Sequence, residues 1–136
     1  MTHEFNLRVY YEDTDLAGIV YYANYLKFIE RARSEWVRDM GIDQVRMKAD
    51  LGKIFAVRRI EADYLHAARF DDELQVQTGI RTVAGARIVL DQVVMRGQER
   101  LFAAVVTLVC LGKSGRPTRL PKEICPQGVP PAKGPA

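Results

Sequence analysis

The sequence predicts an α+β domain: one long helix laid across a curved antiparallel sheet of about five strands. Three observations predict it. Residues 22–40 hold apolar side chains at helical spacing. One β-patterned run precedes that segment and four follow it, separated by glycine-bearing turns. The length of 136 residues, 48% of them hydrophobic, supplies enough apolar surface for a single core.

In chain order, residues 5–12 alternate Phe5, Leu7, Val9 and Tyr11 with more polar neighbours and read as a first strand. The turn composition of DTDLAG follows. The helix then carries Tyr22, Tyr25, Leu26, Ile29, Ala32, Trp36, Val37 and Met40 on its apolar stripe, and Gly41 is placed to stop it. After a connecting region at residues 42–52, residues 54–64 (with Phe55, Val57 and Ile60) read as a strand. Residues 73–83 give the cleanest alternation, Leu74, Val76, Thr78, Ile80 and Thr82 against polar partners, so one face is buried and the other wet. Ala84-Gly85 turns the chain into residues 88–95, and Gly97-Gln98-Glu99 turns it into 101–111. That last run is almost wholly apolar and reads as a central strand covered on both faces. The four later strands are expected as a meander, with the helix covering one face. Residues 1–125 form one domain, and residues 126–136, PQGVPPAKGPA, read as a disordered Pro/Gly-rich tail.

Composition narrows the classes. No run approaches the roughly 20 apolar residues of a membrane span, and the N-terminus lacks the charged and apolar regions of a secretory signal. Cys110 and Cys125 make no disulfide framework, and His3 and His66 stand apart from them, so no metal or other cofactor is expected. A cytoplasmic location fits. The net charge of +3 arises in residues 113–136, where five cations face Glu123 alone, so no nucleic-acid-binding stripe is formed.

The stretch RVYYEDTDLAGIVYYANYLKFIERAR carries the chemistry. Arg8, Val9, Thr14, Asp15, Gly18, Ile19, Val20, Tyr21 and Tyr25 in this order resemble the active-site region of the 4-hydroxybenzoyl-CoA thioesterase family, which has the hot-dog fold. Within that family the chain is most similar to the YbgC-type, Tol–Pal-associated acyl-CoA thioesterases. The likeness continues through residues 55–78 and the LPKEI of residues 120–124. The resemblance implies hydrolysis of a short-chain aliphatic or aromatic acyl-CoA to a carboxylic acid and free coenzyme A. It assigns Asp15 as nucleophile or general base and the Tyr22 backbone N–H, at the helix N-terminus, as the donor that polarises the thioester carbonyl. Both roles suit the physics: helix N-termini present free N–H donors and partial positive charge, and a carboxylate one short loop upstream can attack or activate water. Many YbgC-type members carry histidine where this chain has Tyr22, which leaves a main-chain donor intact but puts any imidazole-dependent step in doubt.

Other residues are weighed against plainer roles. Gly18 permits a tight turn or close ligand approach. Arg58 and Arg59 are candidates for the coenzyme A phosphates, against the ordinary reading of surface arginines. Asp13 reads as supporting, Glu30 as a partly exposed helix carboxylate, His66 as a loop residue, and the tyrosines mainly as packing. The alternative to an enzyme is a non-catalytic module binding acyl-CoA or acyl-carrier protein; a hot-dog hydratase ranks below it for want of a placed histidine. A sheet with open edges also predicts a homo-oligomer, dimer or tetramer.

Overall fold

The computed structural model describes residues 2–124. The tail assigned to residues 126–136, and Cys125, lie outside them. In chain order the elements are β1 (His3–Arg8), a 3-10 turn (Tyr11–Asp13), α1 (Asn24–Asp39), α2 (Gln44–Leu51), β2 (Ile54–Tyr64), β3 (Glu73–Ala84), β4 (Arg87–Arg96) and β5 (Glu99–Leu111). The first strand is shorter than its pattern suggested. Val9 still packs in the core, but Tyr11 has left the sheet for the 3-10 turn and is exposed.

The five strands make one antiparallel sheet in the order β1-β3-β4-β5-β2. Only β3, β4 and β5 form a meander, which corrects the expectation of four consecutive neighbours. A tight hairpin needs a short turn, and residues 65–72 between β2 and β3 are too many for one. The chain instead crosses to the far side, leaving β2 on one edge and β1 on the other.

Alternation along the strands places one apolar face under α1. The register aligns Ile80, Leu90, Val106 and Ile60 in one cross-strand row. Alternation in β3 holds only to Ile80: a bulge at Arg81 shifts the parity, so Val83 packs on the core and Thr82 is exposed. The expected double coverage of the last strand is also corrected. β5 is interior, with Phe102, Ala104, Val106, Leu108 and Cys110 buried, but Val105, Thr107 and Val109 on its outer face are half-exposed in the single chain.

Helix α1 buries Tyr25, Phe28, Ile29, Ala32, Trp36 and Val37 on that face, at helical spacing. Phe28, absent from the stripe read from the sequence, is fully buried, whereas Leu26 is exposed. A buried amide locks the helix against the sheet. Gln92 Nε2 donates to the Ile29 carbonyl (3.0 Å) and to Thr78 Oγ1 (2.9 Å), and its Oε1 accepts from Arg33 (3.1 Å). Gly41, at φ 89°, ends the helix turn as expected. The LPKEI segment closes the far end of the core: Thr118 N–H donates to the Cys110 carbonyl (2.8 Å), and Leu120 and Ile124 are buried.

Candidate active site

Asp15 sits at the tip of a small hairpin that feeds α1. Its N–H donates to the Ile19 carbonyl (2.9 Å), Gly18 N–H donates back to the Asp15 carbonyl (2.9 Å), and Thr14 bridges Val20. Gly18 adopts φ 82°, the left-handed conformation that such a turn requires and a side chain resists. The glycine therefore has a backbone reason to be there.

The Asp15 carboxylate has one oxygen engaged and one free. Oδ1 accepts from Ala17 N–H at 2.9 Å, the local bond of an aspartate in a turn. Oδ2 meets no donor among the described residues, and the side chain is exposed. Leu16 beside it is fully exposed.

Seven residues on, the chain enters α1 through Tyr22. The helix begins at Asn24, not at residue 22 as its periodicity suggested, so Tyr22 lies in the turn just ahead of it. Ala23 occupies the N-cap position and supplies no side-chain cap. Among the described residues the Tyr22 N–H meets no acceptor, so it remains a free donor at the positive end of the helix. Its carbonyl is held from the other side by the Tyr64 hydroxyl, which donates at 3.1 Å.

Tyr22 forms one wall of a cavity of about 280 Å³, with Ile19, Val20, Tyr25, Tyr64 and His66 among the others. The wall is aromatic and ordered. Tyr25 stacks on Phe102 (centroids 4.9 Å apart) and meets Tyr64 edge-on, and Tyr25 Oη accepts from Ala68 N–H at 3.1 Å. Burial pushes the Tyr25 hydroxyl above its ordinary pKa, so it stays neutral. Tyr64 and His66 went unremarked as wall residues in the sequence. Tyr64 had a signal, since it continues the alternation of Ile60 and Ala62 onto the helix-facing side of β2. His66 is exposed and lies 3.8 Å from Glu99.

Arg58 and Arg59 do not join this site within one chain. They lie six and five residues before Tyr64 on β2, about 17–20 Å away along a strand. Arg58 stands at a bulge, and Arg59 pairs with Glu61 at 2.8 Å. Glu30 is exposed and accepts from Ser34 Oγ (2.8 Å). Among the described residues no three His, Cys, Asp or Glu side chains cluster as metal ligands do, and no helix is long and apolar enough to cross a membrane.

A single helix crossing the inner face of a curved five-stranded sheet, entered through a carboxylate-bearing hairpin, defines a hot-dog α+β protein. A family model of the thioesterase superfamily matches residues 17–103, beginning two residues after Asp15. The chain belongs to that superfamily. It is 43% identical over 122 residues to an acyl-CoA thioesterase YbgC of Haemophilus influenzae, covering 88% of this chain and 89% of that one. It is 39% identical over 120 residues to an acyl-CoA thioester hydrolase YbgC of Escherichia coli, covering 87% and 89%. Among solved structures, a probable thioesterase from Bartonella henselae superposes with a TM-score of 0.85 at 36% identity, over 89% of this chain and all of that one.

Proposed function

We propose that this protein is an acyl-CoA thioesterase that hydrolyses a short-chain aliphatic or aromatic acyl-CoA to the carboxylic acid and free coenzyme A. One observation carries the reading. An unengaged carboxylate oxygen on Asp15 and an unengaged N–H on Tyr22 occupy one hairpin-to-helix unit in a member of the thioesterase superfamily.

Asp15 supplies the base or the nucleophile. As a base it takes a proton from water, and the hydroxide adds to the thioester carbon. The Tyr22 N–H and the helix dipole stabilise the oxyanion as it forms. Collapse expels coenzyme A thiolate, which recovers the proton. As a nucleophile, Asp15 displaces the thiolate and forms a mixed anhydride, which water then hydrolyses. Label on Asp15 after a single turnover in ¹⁸O-labelled water identifies the nucleophilic route, because only hydrolysis of the anhydride at the Asp15 carbon leaves label in the protein.

The aromatic-walled cavity beside Tyr22 accommodates the acyl group, and Gly18 keeps the approach to Asp15 free of a side chain. The phosphates of coenzyme A fall to Arg58 and Arg59. In one chain these are too distant, so they serve the site of a second copy. Edge strand β2 offers an unpaired backbone row for that copy, and association would cover the exposed Asp15 hairpin. The half-exposed Val89, Val93, Val105 and Val109 on the outer face suit a further pairing into a tetramer. The compartment proposed is the cytoplasm, and acyl-carrier protein is the alternative thiol carrier.

The Asx-turn bond from Ala17 favours a second reading, in which Asp15 only shapes the loop and the protein is a non-catalytic module binding acyl-CoA or acyl-carrier protein. Thiol release from aliphatic and benzoyl-type acyl-CoAs decides between them. Asp15→Asn is expected to lower kcat by about 10²–10⁴-fold while keeping the fold. Near-native turnover in that variant removes Asp15 from the chemistry. Tight binding without hydrolysis by the unmodified chain would install the second reading.

A further inference from the structure

Two polar side chains are buried at the base of the hairpin and belong to no step of the reaction. Asp13 is 6% exposed and Asn24 is 6% exposed. Among the described residues, no cation lies within ion-pairing distance of Asp13. Its carboxylate is held by two neutral donors. Oδ2 accepts from the Tyr10 N–H at 2.9 Å, and Oδ1 accepts from the Asn24 side-chain amide at 2.9 Å. The Asp13 main-chain carbonyl takes a third donor, Tyr21 N–H, at 2.8 Å.

A buried carboxylate without a cation is costly, and a fold retains one where its acceptors are needed. Asn24 sharpens the point. Asparagine at a helix start ordinarily caps the backbone donors of the first turn, yet the N-cap position here is Ala23 and is uncapped. Asn24 turns its amide to Asp13 instead; its own N–H and that of Leu26 close onto the Tyr21 and Ala23 carbonyls (2.8 and 3.1 Å), and the Tyr22 N–H just ahead of them stays open. The pair thus ties three places together: the segment just past β1 at Tyr10, the hairpin stem at Asp13, and the first residue of α1.

Asp15 lies two residues after one end of this tie, and Tyr22 two residues before the other. We propose that the Asp13–Asn24 pair is a positioning clamp that sets the Asp15 carboxylate and the Tyr22 N–H in register across the thioester. The inference rests on the proposed roles of Asp15 and Tyr22. The hairpin bonds hold its two limbs to each other; the clamp holds the hairpin to the helix. Reacting groups on separate elements lose rate steeply when misplaced by about 1 Å, while substrate contacts elsewhere are kept.

A swap experiment tests this. Asn24→Asp sets two carboxylates face to face, and Asn24→Ala frees one end. Asp13→Asn together with Asn24→Asp rebuilds both bonds with reversed chemistry: the introduced amide oxygen accepts from Tyr10 N–H, and its nitrogen donates to the introduced carboxylate. Each single Asn24 variant is expected to lose kcat by about tenfold or more, with KM and the affinity for a non-hydrolysable thioether analogue within about threefold. The double variant is expected to regain most of the lost kcat. The clamp is overturned if folded Asn24→Asp and Asn24→Ala keep kcat within about twofold of the parent, if only KM changes, or if the folded double variant recovers nothing. Failure of both single variants to fold also overturns it, since the pair is then a folding requirement. Asp15→Asn in the same assay keeps the two readings apart. Full turnover there removes Asp15 from the chemistry and with it the role on which the clamp rests, whereas lost turnover there beside normal Asn24 variants sinks the clamp alone.

Discussion

At the scale of single residues, the chemistry proposed for Asp15 and Tyr22 depends on which polar atoms are left over after the fold has taken what it needs. Asp15 gives one oxygen to its turn and keeps the other; Tyr22 gives its carbonyl to Tyr64 and keeps its N–H. The Tyr64 hydroxyl therefore orients the peptide that follows the free donor. Tyr64→Phe removes one hydrogen bond worth about 1 kcal/mol and leaves the ring packing against Phe102 and Tyr25. The expected result is a several-fold fall in kcat with little change in melting temperature, measured by steady-state thiol release and calorimetry. Cys110 makes the opposite case. Full burial pushes its thiol above the ordinary pKa, so it is held as an unreactive apolar group. In a Cys125→Ser background, the native protein is expected to resist a thiol reagent that labels it quantitatively in denaturant. Labelling of the folded chain would show that the strap at residues 118–124 opens.

At the scale of elements, the hairpin and the helices are set by a few backbone requirements. Gly18 holds φ 82°, and no atom lies within 4 Å of where a Cβ would stand, so the cost of a side chain there is purely conformational. Gly18→Ala is expected to destabilise by about 1–2 kcal/mol and to lower turnover by disturbing the Asp15 tip, read from denaturant melts and kcat. Phe28, in the N-terminal half of α1, is fully buried, so Phe28→Ala is expected to cost about 3–5 kcal/mol. The loop that walls the cavity is tied by Arg96, which donates to Asp72 (2.7 Å), the Ala67 carbonyl (3.2 Å) and Glu99 (2.8 Å). The hydrogen bond from Arg96 holds the Glu99 carboxyl below its ordinary pKa. A carboxylate with a depressed folded-state pKa contributes stability above its unfolded value, and that contribution is lost as pH falls through the folded value. Acid titration of stability is thus expected to be flatter in Glu99→Gln than in the parent, and identical curves would show the pair contributes nothing.

At the scale of the whole molecule, the single chain leaves three things open: the Asp15 hairpin, the long edge strand β2, and a half-exposed valine-rich outer sheet face. Edges and faces of this kind are commonly covered in native proteins, and in the assembly proposed above a second copy covers the edge beside the site. Light scattering at micromolar concentration is expected to report a homodimer or tetramer. A monomeric mass with full activity would mean that one chain completes its own site and that Arg58 and Arg59 do not bind coenzyme A.

The local pattern alone determined the long helix and the five strands, though not α2 or the 3-10 turn, because helical spacing, strand alternation and glycine turns act over a few residues. It placed Gly41 at a helix stop and residues 54–64 in one strand, both as the structure has them. The DTDLAG turn and its aspartate were legible for the same reason, and the ordered likeness through residues 8–25 pointed to the thioesterase family. Tertiary structure decided the rest. The position of β2 next to β5, the burial of Phe28 in place of Leu26, and the parity change at Arg81 all depend on which face meets which neighbour, and a one-dimensional pattern does not carry that. The Asp13–Asn24 pair was invisible for a related reason. Two polar residues eleven positions apart look solvated until the fold removes the water between them and leaves each as the other's partner.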